Sequence, residues 1–184
     1  MMKFTILISF LIINLGAMAQ EQELPYYELE EPIENYTAGS VAARMIDALG
    51  FRYYWASEGL RDVDLDYKAS ELGRTSAETI EHILGLSHFI LSSISEESKK
   101  TVDKKMLFED QRKQTLFNLK KASNILRSSK DLSEFDTARH PFWNMINGPI
   151  SDAIWHCGQL VTLRRASGNS LNSNINLFSG KIRD

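Results

Sequence analysis

Two pairs of residues in this chain have the types and spacing to do chemistry. In SDAIWHCGQL, residues 151–160, Asp152 and His156 stand four apart, and in TSAETIEHILGL, residues 75–86, so do Glu78 and His82. Side chains at that spacing share one face of a helix. Two imidazoles and a carboxylate, with positions left for water, can hold a divalent ion such as zinc, nickel, manganese or iron. The candidate ligands are His82, Asp152 and His156. Each also has a plainer reading. Asp152 could face the positive end of its helix. Glu78 could close a capping box with Thr75. The histidines could bond each other or Asp152 within a core.

Around Asp152 and His156 the helix reads as buried nearly all round. Ala153, Ile154, Trp155 and Leu160 suit a core, and Gln159 and Leu163 continue the Asp152/His156 face. A carboxylate in such a place needs a partner or a metal. Gln159, one turn beyond His156, is placed to orient a ligand. His88 falls on a different face from His82, His140 precedes Pro141 in a loop, and Cys157 points about 100° away from His156. Cys157 reads as a core thiol. The chain has no serine elbow, phosphate loop or dinucleotide fingerprint.

Four helices must position these residues. Apolar residues at Ala42, Ile46, Leu49, Tyr53, Ala56 and Leu60 predict a first helix over Ser40–Leu60. Within it, FRYYW (51–55) reads as core. The polar segment 61–74 follows. Thr75-Ser76-Ala77-Glu78 opens a second helix that runs to about Ser92. A third is expected from about Asp103 to Ser128. After a long connection, the fourth starts at Pro141 and bends, or starts at Gly148-Pro149, and ends near Ser167-Gly168-Asn169. No segment has a strand period, and residues 171–184 read as a loop tail. The fold class is all-α, a four-helix bundle.

The ends of the chain read differently. Lys3, the apolar run Phe4–Leu15 and Ala17-Met18-Ala19 form a signal peptide pattern over residues 1–19, cleaved between Ala19 and Gln20. That run is shorter than the ~20 residues a spanning helix needs, so no membrane span is expected after cleavage. A periplasmic or secreted protein follows. Residues 20–37 are an acidic arm, with six glutamates and no basic residue over 20–36, ordered only if it docks. The net charge of −3, or −4 without Lys3, argues against nucleic acid as a partner. Cys157, the single cysteine, excludes an internal disulfide.

TSAETIEHILGL, a long third helix, and then His156-Cys157-Gly158-Gln159, Leu163-Arg164 and Gly168 together resemble the DinB-like family of metalloenzymes, also called DinB/YfiT-like, over roughly residues 38–170. The resemblance implies a four-helix bundle with a crossover between helices two and three. It also implies a divalent metal held by three histidines, one on the second helix and two at i, i+4 on the fourth. His82 matches the first and His156 the last. Asp152 stands where the family has its middle histidine. Known members include thiol transferases and isomerases that use small cellular thiols.

These readings converge on an exported, metal-dependent hydrolase or group transferase acting on a small-molecule substrate. The alternative is a non-catalytic bundle, a binding or structural module whose arm or aromatic cluster meets a partner. Bundles of this type often pair as homodimers.

Overall fold

A computed structural model describes residues 23–31, 35–95, 106–138 and 140–183. The signal peptide at residues 1–19 lies outside the described residues, as do residues 20–22 and 32–34 of the arm. The described chain is mostly helical: α1 (Ala38–Ser57), α2 (Asp62–Leu65), α3 (Ser76–Ile94), α4 (Phe108–Ser128), α5 (Phe142–Met145) and α6 (Ser151–Ala166). Two antiparallel strands, β1 (Ile175–Asn176) and β2 (Lys181–Ile182), turn the expected loop tail into a small ribbon. Each is two residues long, too short to leave a period in the sequence.

Local chemistry explains where the helices start and stop. Thr37 caps α1 and Thr75 caps α3, each by a reciprocal capping box. Helix α1 ends at Ser57, three residues before the expected Leu60, and Glu58 leaves the helix in extended geometry. The expected start of the third helix, residues 103–105, lies outside the described residues; Met106 and Leu107 are not helical, so α4 begins at Phe108. The polar segment 61–74 is not all loop, since Asp62–Leu65 forms a turn of helix. Helix four does begin near Pro141 and bend. Pro141 precedes α5, a π-helical turn over Ile146–Ile150 contains Pro149, and α6 follows directly. Proline cannot donate to the helical ladder, and the π-turn absorbs the irregularity.

The four long helices pack chiefly in a cycle, α1 on α4, α4 on α3, α3 on α6 and α6 on α1. Ile46, Phe51, Tyr53, Ile83, Leu116 and Leu160 are fully buried between them. Each of the aliphatic and phenylalanine side chains contributes about 1.5–3 kcal/mol by leaving water. Each contact in the cycle also carries a polar tie. Arg127 pairs with Asp47 at 2.6 Å between α4 and α1, and Asn118 donates to Ser87 Oγ at 3.0 Å between α4 and α3. Arg164 Nη1 donates to the carbonyl of Trp55 at 2.9 Å between α6 and α1. The α3–α6 tie is His82 with Asp152.

The acidic arm docks. Tyr26 and Leu29 are buried, Trp55 Nε1 donates to the Tyr27 carbonyl at 3.1 Å, and Glu30 pairs with Lys120. Gly50 allows this, because a Cβ there would lie 2.5 Å from the Tyr26 ring. The arm also meets the ribbon, where Leu29 N donates to the Gly180 carbonyl at 2.8 Å.

Arg164, Gly168 and residues of segment 61–74 lock the base of α6. Gly168, at φ +82°, ends the helix in a Schellman motif, with Asn169 N donating to the Arg164 carbonyl at 2.7 Å. The buried Asp64 carboxylate accepts from Arg61 Nε at 2.8 Å, Ser167 Oγ at 2.6 Å and Asn169 Nδ2 at 2.7 Å. Hydrogen bonds from Arg61 first, then Ser167 and Asn169, hold its carboxyl well below the usual carboxylate range. A depressed folded value gives stability that is present above the unfolded pKa, about 4, and lost as pH falls below it. Asp64→Asn should therefore cost about 2–3 kcal/mol at pH 7 in urea unfolding and flatten the loss of stability between about pH 4 and 2.

Candidate metal centre

His82, on the second turn of α3, and Asp152 and His156, on the first two turns of α6, come together across the α3–α6 contact. Asp152 Oδ2 lies 3.2 Å from His82 Nε2, and Oδ1 lies 3.3 Å from His156 Nε2. The rings stand edge to face with centroids 4.5 Å apart. One ligand atom from each residue lies within 4.8 Å of the other two. The side chains are 33%, 46% and 11% exposed for His82, Asp152 and His156, so the cluster is rooted in the core and open on one side.

The local reasons are separable. The Thr75 box fixes the first turn of α3 and so the phase of His82. Glu78 belongs to that box: its amide donates to Thr75 Oγ1 at 3.1 Å, and its carboxylate accepts from the Thr75 amide at 2.8 Å. The Glu78/His82 pair is thus divided between capping and the site. On α6, Asp152 and His156 share a face by their spacing, and the π-turn sets where that face begins. Asp152 is in the first turn, yet its two oxygens face two imidazoles.

Gln159 does orient a candidate ligand. His156 Nδ1 lies 2.6 Å from Gln159 Oε1. An amide oxygen accepts, so this contact suits the tautomer with its proton on Nδ1, which leaves Nε2 open to a metal. This is the tautomer a metal-binding histidine needs.

The donor set fits a divalent ion. Donor atoms on a tetrahedral ion with bonds of about 2.1 Å stand about 3.4 Å apart; here each Nε2 is about that far from its own Asp152 oxygen, and one ligand atom of each residue lies within 4.8 Å of the others. Two neutral nitrogens and one carboxylate also suit zinc and its first-row neighbours.

Other candidates lie elsewhere. His140 is exposed, 3.3 Å from Asn144 Nδ2, and borders a separate cleft with Phe89 and Gly148. His88 is not among the clustered side chains. Cys157 is buried, and burial pushes its thiol up to about 12, so it is a core thiol as expected.

One expectation fails on the far side of α6. Trp155 is 73% exposed rather than core, and Gly158 and Gln159 are exposed too. The helix buries Ala153, Cys157 and Leu160 against its neighbours and leaves the opposite face open. That face walls a cleft of ≈ 810 Å³ whose lining includes Arg74, Thr79, Trp155, His156, Gln159 and Thr162. Arg74 and the cleft had no signature in the sequence, since a lone arginine before a helix cap is ordinary.

Comparison with known protein families, with curated proteins and with solved structures finds no match.

If Gln159 fixes the tautomer, Gln159→Leu should weaken divalent-ion binding about 10- to 100-fold while leaving the unfolding free energy of the metal-free protein within about 0.5 kcal/mol. Competition against a chromogenic chelator reads the first, urea unfolding the second. Unchanged affinity would remove Gln159 from the centre.

Proposed function

We propose that this chain is an exported, DinB-like, metal-dependent enzyme, a hydrolase or group transferase acting on a small molecule. The observation that carries the reading is the convergence of His82, Asp152 and His156 from two helices, with the Gln159 amide oxygen 2.6 Å from His156 Nδ1. The fold proposed with it is a four-helix bundle of DinB/YfiT-like type with a crossover between its second and third long helices. The packing cycle of α1, α4, α3 and α6 supports that arrangement. Export rests on the signal peptide pattern at residues 1–19. No described helix is long and apolar enough to cross a membrane.

In this centre His82, Asp152 and His156 would hold the ion. The Asp152 carboxylate offsets part of the ion's charge, in the place where the family has histidine. Gln159 keeps the Nδ1 proton of His156 away from the site. When bound, the ion supplies Lewis acidity, either lowering the pKa of a bound water or polarising an electrophile. The exposed edges of Asp152 and His82 leave room for that water or for substrate.

One observation favours the alternative, a non-catalytic bundle. Asp152 already lies 3.2 Å from His82 Nε2 and 3.3 Å from His156 Nε2, as it would at the centre of a polar network. Its partner surfaces are weaker, because Phe51, Tyr53 and Trp55 are buried and the described part of the arm is docked.

Elemental analysis of the purified mature protein separates the two. The enzyme reading predicts about one divalent ion per chain in wild type, a large loss in Asp152→Ala, and a fall in the thermal midpoint on adding a chelator. Metal-free wild type that fails to bind added ion, with a midpoint indifferent to chelator, would leave the bundle reading standing.

A further inference from the structure

We infer that the cleft beside His156 binds a small monocarboxylate with an apolar or aromatic body, and that Arg74 receives the carboxylate. This names a substrate class for the metal centre and rests on that reading only for the chemistry that follows binding.

The cleft, at ≈ 810 Å³, is within the range of small-molecule sites. Arg74 is the one charged residue in its lining, and it has no ion pair among the described residues. The other polar groups are largely committed. Thr79 Oγ1 donates to the Thr75 carbonyl at 2.8 Å, and Thr162 Oγ1 donates to the Gly158 carbonyl at 3.1 Å. Gln159 gives its oxygen to His156, which leaves its amide nitrogen as a donor. The cleft therefore presents two donors in search of acceptors, a guanidinium and an amide. A guanidinium matches a carboxylate in a two-bonded fork, and one cation balances one negative charge.

The remaining surface is apolar. The Trp155 indole and Ile154 offer a platform for a flat or aliphatic body. Gly158 keeps the floor clear, since a Cβ there would meet nothing within 4 Å and would project into open space. His156 lines the same cleft, so a molecule anchored at Arg74 lies beside the metal centre.

The test uses calorimetry on the mature protein, zinc-loaded and metal-free, with phenylacetate, its neutral isostere phenylacetamide, and inorganic phosphate as probes. Phenylacetate should bind saturably to both forms, at least about tenfold more tightly than phenylacetamide. Arg74→Gln should weaken phenylacetate by at least about tenfold without changing the zinc content, and Trp155→Ala should weaken it as well. Equal binding of phenylacetate by wild type and Arg74→Gln overturns the inference. So does equal binding of acid and amide, a preference for phosphate, or no saturable binding by about 10 mM. The two readings fail differently. A protein that takes up no zinc but binds phenylacetate through Arg74 loses the metal and keeps the cleft. One that loads zinc with Arg74→Gln silent does the opposite.

Discussion

A single carboxylate held between two imidazoles ties α3 to α6 at the candidate site. Asp152 reaches His82 on α3 with one oxygen and His156 on its own helix with the other. Those partners are separated by 70 residues in one case and four in the other. For the three to meet, α3 must present its second turn to the first turn of α6. The phase of α3 is set by the Thr75 cap and that of α6 by the π-turn before it. The core beneath explains why the pair of helices stays in register: Ile83, Ala153, Cys157 and Leu160 are buried alongside. A cation placed among the three groups would give the carboxylate and both Nε2 lone pairs a common partner.

The far end of α6 has a different task. Arg164 and Asp64 tie it to the last carbonyls of α1 and to the segment that leads into α3. In the sequence they stand beside the residues that suggest a metal enzyme. In the structure they hold together the frame on which those residues sit. The pattern of Gly158-Gln159, Leu163-Arg164 and Gly168 therefore divides by function. Gly158 and Gln159 face the cleft, and Arg164 and Gly168 build the helix end.

What could be read from the sequence was what is local. The Thr75-to-Glu78 box, the helical phase shared by Asp152 and His156, and the stop at Gly168 each depend on residues within one or two turns, and each appears as expected. The third candidate, His82, shows in the sequence through its own four-residue spacing from Glu78, but no spacing rule joins it to Asp152, 70 residues on, and only the fold brings the two together. Trp155 departs from its expected place in the core for a physical reason. Its apolar character says that it can be buried, but which face of α6 meets α1 and α3 depends on tertiary packing. Asp64 went unremarked since its partners at Ser167 and Asn169 lie more than 100 residues away. Gly148-Pro149 announced a break in the helix without announcing that the break would be a π-turn. The arm was legible as acidic, and its docking depended on Gly50, far along α1, leaving room for Tyr26.

The centre is tested most directly by a crystal structure of the mature protein grown with zinc, with diffraction recorded at the zinc absorption edge. The account predicts an anomalous peak within about 2.0–2.2 Å of His82 Nε2, His156 Nε2 and an Asp152 oxygen, with the Gln159 oxygen still on His156 Nδ1. A map with no peak there, and Asp152 still bonded to both imidazoles, would contradict it.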